Sequence, residues 1–321
     1  MNRRQLGNSD LFVSPIALGC WPIAGMTSLN VTEKESLATI REALELDINF
    51  FDTAFCYGAN GESEKLIAEA IGKQRDQAIL ATKCGIHWDN KGKRVVDGRA
   101  ATLKNECEES LRRLNTDHVD LLYLHAPDPS TSLEDSATAL RELQQAGKTR
   151  YVGLSNVSVK QLECFSAICP VMVCQLHYNM VQREIEQDRL PWCQKHGVSL
   201  AVYWPLMKGL LAGKLPRDHR FAPGDGRAKY PIFQGEQWQK NQDLLDELRP
   251  IAQEAGHSLA QTVLNWTIHR PGITSVLCGA KRPDQIRENA GGMGWRLDKN
   301  QLQRIDQALK KRGTPESRAA V

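Results

Sequence analysis

The chain has 321 residues, 41% hydrophobic and 25% charged, an ordinary globular composition that excludes wholesale disorder and allows one large α/β domain or two small ones. A net charge of +3, with Lys and Arg interspersed among Asp and Glu, excludes the basic footprint of a nucleic-acid binder. No apolar run approaches the ~20 residues of a membrane span, and Met1–Gly7 has no apolar signal region, so the expected location is cytoplasmic.

In chain order, the opening Leu6-Gly7-Asn8-Ser9-Asp10-Leu11 sets turn residues between short apolar segments and predicts a hairpin across one end of the fold. Pro15–Leu18 is the first strand-like run. Thr32–Leu46 has helical spacing and opens on Thr32-Glu33-Lys34-Glu35, the pattern of a capping box. Asn49–Phe51 and Ala78–Thr82 read as the next strands. Ala101–Leu114 follows as a helix with Leu103, Cys107, Leu111 and Leu114 along one face. Val119–Leu124 is a fourth strand, and the helix Ser136–Ala146 stops at Gly147. Tyr151–Leu154, Val171–Gln175 and Ser199–Tyr203 continue the strand series, which closes at Thr274–Cys278. The seventh and eighth strands are separated by about seventy residues, too many for a simple connection. They include Arg217–Gly235, a Pro-, Gly- and charge-rich candidate for a substrate-side loop, and helices near Trp238–Ala255 and Leu259–His269. After Gly291 come a helix near Lys299–Lys310 and a polar end expected to fray.

Strand then helix, repeated eight times, implies parallel strands with crossover helices and favours a closed (β/α)8 TIM barrel over an open doubly wound sheet. No G-x-G-x-x-G follows the first strand, which further disfavours a Rossmann domain. No linker divides the chain, so 1–321 reads as a single domain. The nine cysteines are odd in number, and none form a C-x-x-C pair. Cys84, Cys174 and Cys278 lie in apolar stretches, where a thiol packs as a small hydrophobe. Cys164, Cys169 and Cys174 recur every five residues, a spacing that scatters them around a helix, and Pro170 interrupts the run; no metal is expected.

In such barrels the active site lies at the C-terminal strand ends. Four polar residues stand there: Asp52 after Asn49-Phe50-Phe51, Tyr57 five residues later, Lys83 ending Ile79-Leu80-Ala81-Thr82-Lys83, and His125 ending Asp120-Leu121-Leu122-Tyr123-Leu124-His125. Singly, Asp52 reads equally as a turn cap, Tyr57 as packing and His125 as a hydrogen-bonded core residue. Lys83 is the hardest to place structurally, because lysine seldom ends an apolar strand without a partner. Together they converge on one rim and suit a single chemical step, the delivery of a proton to an oxygen that gains charge as hydride arrives. A phenol, with an unperturbed pKa of about 10, is a poor acid near neutrality unless its anion is stabilised. A nearby ammonium lowers that value, a carboxylate holds the ammonium, and a histidine can orient the carbonyl and stabilise its developing charge.

These segments give the sequence a resemblance to the aldo-keto reductases over essentially its whole length. The matching runs are Ala17-Leu18-Gly19, Phe51-Asp52-Thr53-Ala54 through Tyr57-Gly58, Ala81-Thr82-Lys83 and Asp120 through His125. Gly153-Leu154-Ser155-Asn156 and Gly279-Ala280-Lys281-Arg282-Pro283 through Glu288-Asn289 complete the set. Tyr203-Trp204-Pro205-Leu206, leading to Gly209-Leu210-Leu211-Ala212-Gly213-Lys214, looks closest to bacterial, general-stress-type members. The resemblance implies a catalytic tetrad of Asp52, Tyr57, Lys83 and His125, with Tyr57 as general acid and Lys83, paired to Asp52, lowering its pKa. It places Ser155, Asn156 and Gln175 on a nicotinamide carboxamide, Tyr203 against the ring, and Trp204, Pro205 and Leu206 in the same cofactor-binding segment. Ser155-Asn156 reads otherwise as a plain turn after the fifth strand. Gly279, Ala280, Lys281, Arg282, Gln285 and Asn289 fall to the adenosine end. Many family members carry lysine where Gly279 stands and arginine where Gln285 stands. Recognition of a 2′-phosphate, and hence NADP(H) as cofactor, therefore falls to Lys281 and Arg282; otherwise these two are a solvated basic turn.

The implied partner is a small-molecule carbonyl substrate, with no nucleic acid and no membrane; oligomeric state is not legible. Trp21 and Trp88, with Phe55, His87, Tyr230 and Phe233, could wall an aromatic pocket beside His125, and packing is the alternative for each. Two other readings stay open: a sugar dehydrogenase working in the oxidative direction, and a nucleotide-sensing auxiliary subunit resembling potassium-channel β-subunits.

Overall fold

Eight short strands alternate with helices and close on themselves in the computed structural model, which describes residues 2–26 and 30–315. The barrel strands are β1 (Ile16–Gly19), β2 (Phe50–Asp52), β3 (Ile79–Cys84), β4 (Val119–Leu124), β5 (Thr149–Ser155), β6 (Val171–His177), β7 (Ser199–Tyr203) and β8 (Ile273–Gly279). Each pairs in parallel with its neighbours in chain order, and β8 returns to β1 with Val276 opposite Ile16. The fold is thus the expected (β/α)8 barrel.

The helices between strands are α1 (Glu33–Glu45), α2 (Glu62–Ile71), α3 (Ala100–Leu114), α4 (Leu133–Gln145), α5 (Val159–Ser166) and α6 (Arg189–His196). After β7 come α7 (Gly235–Glu254) and α8 (Leu259–Ile268), and after β8 come α9 (Pro283–Ala290) and α10 (Lys299–Arg312). Thr32 caps α1 by accepting from the Glu35 amide, while the Glu35 carboxylate meets the Thr32 hydroxyl. Helix α3 buries Leu103, Cys107, Leu111 and Leu114, as their spacing predicts. Helix α4 begins at the Ser132 cap, several residues before the expected Ser136, because Ser132 accepts from the Asp135 amide. The long β7–β8 connection contains short 3-10 turns at Met207–Ala212, Gly226–Lys229 and Pro231–Phe233 before α7, which packs along α10. The polar end expected to fray falls largely in 316–321, outside the described residues.

Two cores follow from strand alternation. One lies between the strands and the helices. The other fills the barrel and includes Ala17, Phe50, Ala81, Tyr123, Val173, Ala201 and Leu277. Small and large side chains interdigitate in it: a Cβ on Gly153 would stand 2.5 Å from the Tyr123 ring, so glycine there makes room for the tyrosine. The N-terminal hairpin, Arg4–Gln5 against Phe12–Val13, sends Leu6, Leu11 and Val13 into this inner core and closes the N-terminal end of the barrel. A second hairpin, Ile86–Trp88 against Arg94–Val96, follows β3 at the opposite end.

Candidate active site

Side chains alternate along a strand, so a residue two positions beyond an inner-core residue also faces the barrel axis. Asp52 follows Phe50 in this way, Lys83 follows Ala81, His125 follows Tyr123, Gln175 follows Val173 and Tyr203 follows Ala201. Ser155 follows Gly153 on β5. Gly19 and Gly279 take the same level on β1 and β8, directly opposite each other. The C-terminal mouth is therefore a ring of six polar side chains with a notch where two adjacent strands carry glycine. A Cβ on Gly279 would lie 2.8 Å from Pro22 Cγ, which accounts for glycine at a position where the family often has lysine.

Lys83 is fully buried, and its ammonium donates to Asp52 Oδ1 at 2.6 Å, to the Thr53 carbonyl at 2.7 Å and to Tyr57 Oη at 3.1 Å. An ammonium has three hydrogens, and these contacts use all of them. Because Tyr57 accepts from Lys83, its own hydroxyl hydrogen is directed elsewhere. The second oxygen of Asp52 accepts from the Gln175 side-chain amide at 2.6 Å, so the buried carboxylate is held on both oxygens. Ion pairs this deep survive only when their remaining hydrogen-bonding capacity is also satisfied.

Burial pushes the Tyr57 phenol well above its ordinary value, and the Asp52 charge pushes it further. That direction is opposite to the effect expected of Lys83 alone, and it keeps the proton on the phenol. Burial raises Asp52 as well, against the attraction of Lys83. His125 is held well below its ordinary value, first by burial and then by Lys83 and Arg94, so the imidazole is neutral. Its Nδ1 lies 3.7 Å from the Cys56 thiol, which burial pushes up to about 12. A protonated thiol facing Nδ1 favours the tautomer with hydrogen on Nε2. The His125 and Tyr57 rings stand edge to face at 6.0 Å between centroids.

The Tyr57 loop is braced from several sides. The Trp21 ring meets Tyr57 edge-on at 4.9 Å, and Trp88 Nε1 donates to the Cys56 carbonyl at 2.8 Å. Arg113, from α3, donates to the Phe55 carbonyl at 3.1 Å, covers the Phe55 ring at 4.3 Å and pairs with buried Glu64. One face of the half-buried Phe55 ring is thus covered by Arg113. His87 bonds Glu106 at 2.8 Å, and Phe233 packs into the core against Phe221 and Trp238, so neither adds to the pocket wall. Tyr230 stacks edge-on against Trp204 at 5.8 Å, with the Lys208 ammonium 3.8 Å from the Trp204 ring centre.

On the other side of the ring, Asn156 (φ 59°, a left-handed conformation asparagine tolerates) ties three strand ends together. Its amide donates to the His125 carbonyl and to Ser155 Oγ, both at 3.0 Å, and its oxygen accepts from Tyr203 Oη at 2.7 Å. The turn Trp204-Pro205-Leu206 continues from β7. Beyond the glycine notch, Ala280 is buried, the Gln285 oxygen accepts from the Lys281 amide at 2.9 Å, and Asn289 reaches the Gly279 carbonyl at 3.4 Å. Arg282 pairs with Asp284 at 3.1 Å. Burial, then the charges of Arg282 and Arg227, push the Lys281 ammonium down, against the pull of Glu35 and Asp225, and Arg227 is itself paired with Asp225 at 2.7 Å. Polar groups at the ring, a notch without side chains and a cationic far end fit the parts of a nicotinamide dinucleotide.

The crevice at the opposite end of the barrel, with Arg3, Arg75 and Arg150 on its walls, is a poorer candidate. Arg75 and Arg150 both pair with buried Asp120, and Arg3 pairs with Asp47, so their charges are already matched. Sequence pattern missed Arg113, Cys56 and the Gln175–Asp52 bond; of these, only Cys56 lies inside a family-like run, between Ala54 and Tyr57.

Comparison with known proteins agrees with this geometry. The aldo/keto reductase family model matches residues 15–310. The chain is 34% identical over 312 residues to the aldo-keto reductase YhdN of Bacillus subtilis, covering 96% of this chain and 94% of that one. It is 31% identical to the NADH-specific methylglyoxal reductase of Escherichia coli, covering 92% and 95% of the two chains. Among solved structures, a glycerol dehydrogenase of Gluconobacter oxydans superposes with a TM-score of 0.91 at 33% identity, covering 100% of this chain and 98% of that one. The closed parallel barrel, the polar ring at its mouth and these relatives together place the chain in the aldo/keto reductase family of oxidoreductases.

Proposed function

We propose that the protein is an NADP(H)-dependent carbonyl reductase in which Tyr57 is the general acid. The observation that carries this reading is the Lys83 ammonium, with all three hydrogens committed and one of them on Tyr57 Oη. A reduced nicotinamide bound along the Ser155–Asn156–Tyr203 side would supply hydride to the carbonyl carbon. As the oxygen gains charge, Tyr57 gives it the hydroxyl proton, and the phenolate left behind keeps its hydrogen bond from Lys83. Neutral His125 donates Nε2–H to the same oxygen as an oriented dipole. Asp52, fixed by Gln175, holds Lys83 in place. Mutational losses for one such donor in other enzymes are about 10²–10³ in turnover.

Burial keeps Tyr57 protonated, as a donor must be when hydride arrives, and the hydrogen bond from Lys83 is what stabilises the phenolate it becomes. The charges of Lys281 and Arg282, at the far end of the glycine notch, support a preference for the 2′-phosphate, and the Escherichia coli relative is named for NADH. The test is a panel of aldehydes, ketones and sugars assayed with NADPH and NADH by loss of reduced-nicotinamide absorbance. Turnover of aldehydes with NADPH supports the reading. Single-turnover oxidation of bound NADPH without steady turnover would favour a sensor instead.

A further inference from the structure

The hairpin after β3 places a cation at the substrate mouth that the reductase chemistry does not use. In its register Ile86 pairs with Val96, His87 with Val95 and Trp88 with Arg94. Directly opposed residues of an antiparallel pair point to the same face, with Cβ atoms about 4.5–5.5 Å apart. Ile86, Trp88, Arg94 and Val96 therefore share one face, and His87 lies on the other, where it meets Glu106. The shared face is the one packed on the catalytic loop: Ile86, Trp88 and Val96 cluster with Ala54, Cys56, Tyr57 and Ala126. Trp88 Nε1, bonded to the Cys56 carbonyl at 2.8 Å, locks the hairpin in that position.

Arg94 is solvent-exposed beside this cluster. The neighbouring cations are matched: Lys83 by Asp52, Arg99 by Asp97, Arg113 by Glu64. Arg94 has no such acidic partner among the described residues. The hairpin tip adds Lys91 and Lys93, and the Asp89 carboxylate there is occupied by their backbone amides at 2.9 and 2.8 Å. The field of Arg94 is felt at His125, after burial and Lys83, and at Cys56, after burial, Lys83 and the opposing charge of Glu106. Lys83 is matched by Asp52, so Arg94 is a cation on the substrate side with no acid paired to it among the described residues.

We propose that Arg94 is a specificity-determining residue that recruits carbonyl substrates bearing an anionic group, a carboxylate, at the end away from the reacting carbon. The geometry is that of a planar guanidinium at the pocket rim, paired across the hairpin with the Trp88 that packs beside Tyr57. The proposal rests on the carbonyl-reductase reading above.

The test compares 4-carboxybenzaldehyde with 4-formylbenzamide, its neutral near-isostere, in the intact enzyme with NADPH. The expected preference for the acid in kcat/KM is about tenfold, the size of a charge-assisted hydrogen bond, and it should shrink as salt is added. Arg94→Met should abolish the preference through KM of the acid while leaving kinetics on the amide unchanged. Arg94→Lys should retain part of it, and Arg94→Glu should invert it. Turnover of the amide with no wild-type preference for the acid, or equal losses on both substrates in Arg94→Met, would overturn the role of Arg94 and leave the reductase reading standing. Turnover of neither aldehyde, with other carbonyls of the panel reduced, would overturn the role of Arg94 alone; no turnover across the whole panel would overturn both.

Discussion

Gln175 donates its side-chain amide to Asp52 Oδ2 at 2.6 Å, at the same distance at which Lys83 holds Oδ1. The resemblance to aldo-keto reductases places Gln175 on the carboxamide of the cofactor. The structure gives it a second connection, through Asp52 and Lys83, to Tyr57. Gln175→Leu should therefore lower kcat as well as weaken cofactor binding, because it strips one oxygen of a buried carboxylate of its donor, a loss of about 1–3 kcal/mol. Steady-state kinetics and NADPH titration by fluorescence separate the two effects. A change in cofactor affinity with kcat intact would remove the link to Asp52.

Arg113 joins the Tyr57 loop to α3 through the Phe55 carbonyl, and its ion-pair partner Glu64 is fully buried with its carboxyl raised by burial. Arg113→Met leaves that carboxyl without its cation and should cost about 3–5 kcal/mol in denaturant unfolding. Adding Glu64→Gln should recover part of the stability, and the single variant should also lose turnover because the loop is no longer tied. Additive losses in the double variant would show that the pair is not coupled.

The stability of the protein should fall with acid in a way that His125 in part controls. Its folded-state value is well below the ordinary 6.5, so in the window beneath about 6.5 the unfolded chain binds a proton that the folded chain excludes. Stability through this group rises with pH across that window and is lost as pH falls below about 6.5. Asp52, raised by burial, has the opposite slope from its ordinary 3.8 upward, but it is present in wild type and variant alike. Melting temperature should therefore drop less steeply for His125→Gln as pH falls below about 6.5. Parallel curves would mean that His125 titrates normally.

Arg282→Ala should weaken NADPH far more than NADH. The guanidinium is exposed and shared with Asp284, so the loss is expected near 1 kcal/mol, about fivefold in Kd, rather than the larger penalty of a buried contact. Equal weakening of both cofactors would remove its role at a 2′-phosphate.

The barrel and much of its polar ring were legible because both rest on a period of two. Asp52, Lys83 and His125 each stand two residues past an apolar inner-core position, so strand ends alone pointed to them. Tyr57 lies beyond the strand, in a loop where no periodicity places it; its position five residues after Asp52 made it a candidate, and the resemblance gave it the role of general acid. What the sequence did not disclose are contacts that cross elements. Arg113 meets Phe55 across 58 positions and Gln175 meets Asp52 across 123, separations that only the closed barrel brings together. The hairpin Ile86–Trp88/Arg94–Val96 was missed because three-residue strands with a charged partner give too little alternation to read. Phe55, His87 and Phe233 looked like pocket walls by composition, and each is turned to a protein partner: Arg113, Glu106, and the Phe221–Trp238 core.

The role of Tyr57 is tested most directly by Tyr57→Phe, which removes one oxygen and keeps the ring between Trp21 and His125. The measurement is NADPH affinity together with single-turnover oxidation of bound NADPH by an aldehyde that the wild type reduces. Affinity near that of the wild type, with the rate down at least ~10²-fold, is the result expected of a missing proton donor. Near-wild-type single-turnover rates in Tyr57→Phe would contradict the assignment and move the proton donor elsewhere in the ring.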